Sequence, residues 1–182
     1  MALVESISKL KKGMTAPDFK LPGVNNKTYS LSNFKDAKAL LVVFMCNHCP
    51  YVKPKINELK RIQSDYKNKG LVVVGINPND ENFVPEDNFE GMKKTAKERG
   101  INFIYLRDET QKTAKEYGAS CTPDPFLFDS NHKLVFHSRI DDNHGNEGGN
   151  GEMHEAIGQF LKNGRIALEQ QPSMGCSIKW KK

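Results

Sequence analysis

No apolar stretch in this chain approaches the roughly 20 residues that a membrane-spanning helix needs, so no membrane partner is expected. Residues Met1 to Gly13 hold neither an apolar core segment nor a small-residue cleavage site. No secretory signal is read there, and the expected compartment is the cytoplasm. No basic stripe with interleaved aromatics occurs, Lys and Glu are interspersed, and the net charge is only +5; nucleic acid is not an expected partner. Neither a repeat nor a linker-like break in composition is visible, and 182 residues suit one well-cored domain spanning 1–182. Cysteine is scarce, at 4 residues. Cytoplasmic disulfides are usually transient and catalytic, so two closely spaced cysteines point to chemistry before architecture.

What the chain does have is Val42-Val43-Phe44-Met45-Cys46-Asn47-His48-Cys49-Pro50-Tyr51. The apolar run Leu40 to Met45 reads as a buried strand, and Val52 to Lys67 has a helical pattern. A Cys-x-x-Cys pair is thereby delivered to the first turn of a helix. A helix N-terminus carries unpaired N–H groups and partial positive charge. A thiolate gains there, and its pKa falls below the free value of ~8.5. Pro50 suits a first helical turn, where its missing N–H would have been unpaired anyway. His48 adds a positive or hydrogen-bonding influence on Cys46. Two other readings compete with redox use: the pair could be buried packing residues, or half of a zinc site completed by Cys121 and Cys176.

In order, Met1 to Lys12 reads as a polar lead-in with some helical character. Phe19 and Leu21 mark a short strand, Tyr29 to Leu31 a second, and Ser32 caps a helical turn ending near Asp36. Strands follow at Ala39–Met45, Leu71–Asn77, Ile101–Leu106, Pro125–Asp129 and Leu134–Ile140. Helices are expected at Asn88–Arg99, Gln111–Tyr117 and Met153–Leu161. Ser130-Asn131-His132 signals a tight hairpin, and Asp141 to Gly151 is too poor in apolar residues to pack, so it is expected mobile. Strand–helix alternation closed by a hairpin and a helix gives a mixed sheet with helices on both faces.

Cys46-Asn47-His48-Cys49, after an apolar strand and before a helix, resembles the active site of the thioredoxin superfamily. Thr122-Pro123, before Phe126-Leu127-Phe128-Asp129, resembles its cis-proline loop. Gly13-Met14-x-Ala16-Pro17-Asp18-Phe19-x-Leu21 is similar to the opening of the redoxin branch, the alkyl hydroperoxide reductase–like proteins. Phe44 to Lys53 together with Gly175-Cys176-Ser177-Ile178-Lys179-Trp180 resembles a peroxiredoxin-like, thioredoxin-fold bacterial subfamily. The resemblance implies a three-layer α/β/α sandwich with a mixed central sheet and an N-terminal β extension. It also implies a thiol–disulfide oxidoreductase with no cofactor. Its substrate would be a disulfide-containing protein or a small thiol, served by an electron donor the sequence does not name.

On that resemblance Cys46 is the exposed nucleophile, Cys49 closes the internal disulfide, and His48 tunes the pair. Thr122, Pro123 and Asn47 face the substrate. Several usual positions differ. Ala39 and Val43 stand where peroxiredoxins carry proline and threonine, which argues against the alternative of a thiol-dependent peroxidase. Leu40 and Val52 stand where related reductases carry a proton-accepting carboxylate. Cys121 and Cys176 form a relay disulfide, stay as inert buried thiols, or complete a metal site. A third function is Cu(I) or Zn(II) binding without catalysis, with His132, His137, His144 and His154 as distant candidates, although His137 and His144 are expected solvated. Asp141, Asp142, Glu147 and Glu152 match no calcium loop.

Overall fold

The fold is organised around a strand whose six residues are all buried, because both of its faces are covered. The computed structural model describes residues 3–7 and 9–182. In chain order the strands are β1 (Leu3–Glu5), β2 (Lys20–Pro22), β3 (Thr28–Ser30), β4 (Ala39–Phe44), β5 (Leu71–Asn77), β6 (Ile104–Arg107), β7 (Cys121–Thr122), β8 (Asp124–Asp129), β9 (Leu134–His137) and β10 (Met174–Ser177). The α-helices are α1 (Ile56–Tyr66), α2 (Phe89–Glu98), α3 (Lys112–Tyr117) and α4 (Glu152–Asn163).

The central sheet has the order β6-β5-β4-β8-β9. β4, β5 and β6 run parallel, while β8 is antiparallel to β4 and to β9. Alternation along β4 divides the core in two. Leu41, Val43 and Met45 pack with Ile56, Leu59 and Ile62 of α1 and with Met153, Ala156 and Ile157 of α4. Leu40, Val42 and Phe44 pack with Ala114 and Tyr117 of α3 and with Phe19, Leu21 and Phe34. Because β4 and β5 are parallel, their carboxyl ends lie at one edge of the sheet, where α/β folds place their ligands. Cys46 follows one of these ends and Asn77 the other.

The mixed sheet matches expectation, and four local features differ. Val52 to Lys67 is not one α-helix: a 3-10 turn at Lys53–Lys55 precedes α1, because Pro54 lacks an N–H and crowds the preceding turn. The lead-in contains strand β1 in place of helical character, while Met1, Ala2 and Ser8 of that expectation lie outside the described residues. β1 pairs with β10, and β10 with β7, in a separate three-stranded sheet that the sequence did not suggest. The short helical turn is Leu31–Phe34, capped by Ser30 and not by Ser32.

The loop from 141 to 151, expected mobile, is anchored instead. Lys55 is buried and donates to Asp141 Oδ1 at 2.7 Å and to the Asn146 carbonyl at 2.6 Å, with the Asn143 carbonyl as a third acceptor. Removing one partner of a buried ion pair strands the other and typically costs about 3–5 kcal/mol. Lys55→Met should therefore lose that much in urea unfolding and open the loop to protease. The double variant Lys55→Met, Asp141→Leu should recover part of the loss.

Candidate active site

Met45 donates to the Ile76 carbonyl at 2.9 Å, which carries the β4 ladder to the edge of Cys46. The chain then turns. The Cys49 carbonyl accepts from Val52 N at 3.0 Å and Lys53 N at 3.1 Å, so Cys49 is the residue that opens the helical segment. Thr122-Pro123 is cis, as expected, and brings β7 against both sulfurs. Thr122 Oγ1 lies 3.4 Å from Cys46 Sγ, and the Thr122 carbonyl lies 3.3 Å from Cys49 Sγ. Cys176 Sγ, from β10, is 2.9 Å from Cys49 Sγ. All four cysteines are free thiols and buried.

Positions 40 and 52 hold no carboxylate, and the carboxylate beside Cys46 is that of Asp87. It sits in a 3-10 turn, Pro85–Asp87, just before α2. Gly91 lets that turn pack on the helix, since a Cβ there would meet the Glu86 carbonyl at 2.3 Å. Asp87 Oδ2 accepts from His48 Nδ1 at 2.6 Å and from Asn79 Nδ2 at 2.8 Å. Asp87 Oδ1 accepts from the Asn47 amide at 2.7 Å and from Asn77 Nδ2 at 3.1 Å. Burial pushes this carboxyl up, but the bonds from His48, Asn79 and the Asn47 amide outweigh it and hold it below its ordinary value. With Nδ1–H given to Asp87, His48 Nε2 is left as a base. Among the described residues that atom is buried without a partner. A ring nitrogen of His48, a carboxylate oxygen of Asp87 and Cys46 Sγ all lie within 4.8 Å of one another.

Within this close pair the two thiols are pushed in opposite directions. Burial, competition from Cys49 and the charge of Asp87 push Cys46 well up. Cys49 is pushed down to about 5, chiefly by the hydrogen bond from Cys46 and against burial, with further help from Cys176 and the Tyr51 amide. The positive end of the helical segment therefore belongs to Cys49. Cys46 stands one turn outside it, beside a carboxylate, and is buried where exposure was expected.

Other expectations are corrected as well. Asn47 does not face a substrate: its side chain donates to the Glu86 carbonyl at 2.7 Å and accepts from Tyr105 OH at 2.9 Å. Thr122 does not offer a free strand edge, because β10 pairs with it. Cys121 and Cys176 do not share a bond; Cys121 Sγ points to the Pro123 carbonyl at 3.8 Å, and burial raises its thiol. Cys176 is raised to about 12, first by burial and then by the Cys49 sulfur beside it. His137 is buried, bonded to Asp124 at 2.7 Å and stacked on Phe126. His154 is bonded to Asp65 at 2.8 Å. Cys46, His48 and Asp87 offer the grouping most like a metal site, yet both Asp87 oxygens already accept two donors each. Glu152 and Asp142, read as poor calcium ligands, are engaged by Arg139 and Asn150.

The family model described as Redoxin matches residues 11–152. The chain belongs to the Redoxin family. A solved structure of an uncharacterized conserved protein from Geobacillus kaustophilus is 44% identical, with TM-score 0.93, covering 100% of this chain and 97% of that one. The thiol-disulfide oxidoreductase ResA of Geobacillus thermodenitrificans is 29% identical over 67% of this redoxin and 66% of its own length. Peroxiredoxin Q, chloroplastic, of Triticum aestivum is 30% identical over 60% of this chain and 47% of its own. The architecture is thioredoxin-like, and the redoxin stands among thiol-based oxidoreductases.

Proposed function

We propose that this redoxin exchanges a Cys46–Cys49 dithiol with the disulfide of a protein or small-thiol substrate, with the thiolate on Cys49 and the His48–Asp87 pair serving Cys46. The supporting observation is the division of labour between the sulfurs. Cys49 opens the helical segment, and Cys46 lies beside the His48–Asp87 pair. Cys49 attacks a substrate sulfur, the substrate disulfide breaks, and one substrate thiolate leaves. His48 takes the proton of Cys46, which then attacks Cys49 and releases the second substrate thiolate. The Cys46–Cys49 disulfide remains and is reduced by an external dithiol. Both sulfurs are buried, so a bulky substrate requires β10 or the His48 turn to shift.

The test is reaction of the reduced protein with glutathione disulfide, followed by acid quenching and mass analysis. A Cys46–Cys49 disulfide is expected, together with turnover of insulin disulfides; thiols left free at neutral pH would sink the assignment. A second reading, peroxide reduction, draws on one contact, since Thr122 Oγ1 beside Cys46 supplies a hydroxyl where Val43 has none. Consumption of hydrogen peroxide with stoichiometric disulfide formation would select it.

A further inference from the structure

The cis-proline edge at Thr122 is occupied by the chain itself. β10 runs antiparallel to β7, with Cys176 opposite Thr122. An extended substrate strand adding to that edge would take the same backbone positions. The fit is close: a Cβ on Gly175 would lie 2.0 Å from the Thr122 carbonyl, so only glycine allows this approach. The next residue places its sulfur 2.9 Å from Cys49 Sγ. Cys176 is buried, and the reaction above gives it no role.

We propose that Cys176 is a third redox thiol, held as an internal substrate, which takes over Cys49 from Cys46. This rests on the Cys46–Cys49 reading. In the oxidised protein, Cys176 Sγ attacks Cys49 Sγ. The Cys49–Cys176 bond forms as the Cys46–Cys49 bond breaks, and the proton lost by Cys176 ends on Cys46. No electrons enter or leave, so the step needs no outside oxidant. Cys46 becomes a free thiol while the oxidising equivalent moves onto β10, and an incoming substrate strand competes with β10 for the Thr122 edge. Cys121 takes no part, since its sulfur faces the Pro123 carbonyl.

Trypsin separates the three sites, because Cys46 and Cys49 fall within residues 39–55, Cys121 within 116–133 and Cys176 within 166–179. Cys46→Ser and the wild type, each treated with one equivalent of diamide, are quenched in acid, alkylated and digested. Cys46→Ser should give the linked 39–55/166–179 peptide as the main product, and Gly175→Ala introduced into it should cut that yield several-fold. The wild type should form its bond within 39–55 first and then lose part of it to the linked peptide. If Cys49 in Cys46→Ser stays alkylatable, dimerises or joins Cys121, the proposal is overturned. The wild-type bond within 39–55 reports separately on the underlying reading, and its presence with no linked peptide in either protein refutes the role of Cys176 alone.

Discussion

Cys49→Ala should reduce disulfide exchange to the uncatalysed level, whereas Cys46→Ala combined with Cys176→Ala should keep the first attack and accumulate a mixed disulfide on Cys49. The asymmetry follows from where the negative charge sits. Cys49 is held ionised by the Cys46 thiol, by Cys176 and by the Tyr51 amide; Cys46 is kept protonated by burial and by its neighbours. In the reduced wild type, iodoacetamide labelling of Cys49 against pH should therefore have its midpoint near 5. In Cys46→Ala the midpoint should rise, because the strongest donor to the thiolate is gone. The same shift appears in stability. The folded pKa of Cys49 is depressed from the free value of ~8.5, so its contribution is complete above that value and is lost as pH falls towards 5. Between those limits the reduced wild type should gain on Cys49→Ala by at most ~1.4 kcal/mol per pH unit, measured by urea unfolding. A mixed disulfide trapped on Cys46 in Cys49→Ala would reverse the assignment of the nucleophile.

Much of the fold is legible because it is written in local pattern. Leu71–Asn77 is a continuous apolar run stopped by Pro78, and the chain makes a strand of it with those bounds. Thr122-Pro123 is cis where its position relative to the Cys pair suggested it. The failures are of another kind. β1, β7 and β10 are short strands that exist only through pairing with partners distant in sequence, Leu3 with Cys176 and Cys176 with Thr122, and neither periodicity nor propensity reports such a partner. Nothing in the local sequence marks Lys55 for burial; Asp141 and two carbonyls are brought over it from far along the chain. Asp87 was missed for the same reason, although one signal was available. It follows Asn77-Pro78-Asn79 at the carboxyl end of β5, the edge that also carries Cys46. Which cysteine opens the helix is poorly legible, because helical pattern fixes a helix start only loosely and the two cysteines stand one turn apart.

Asp87→Asn should slow closure of the Cys46–Cys49 ring by about 100-fold, within the range for loss of a positioned acid or base. The first attack by Cys49 should stay near the wild-type rate. Two effects oppose each other. Removing the Asp87 charge relieves part of the upward push on Cys46, which makes its thiolate more abundant at neutral pH. It also releases His48 Nδ1, so the ring loses the tautomer and orientation that leave Nε2 as the base. The second effect should prevail, because burial is the largest cause holding Cys46 protonated and it persists in the variant. A role in packing alone would slow both steps or lower stability. The positioning role predicts that the loss falls on ring closure alone and leaves the first attack near its wild-type rate. It also predicts that Asp87→Asn combined with His48→Ala is no slower than His48→Ala alone, since the carboxylate acts only through the imidazole. Rapid-quench measurement of mixed disulfide and closed ring separates the two steps. Additive losses in the double variant would place Asp87 in the scaffold and outside the proton path.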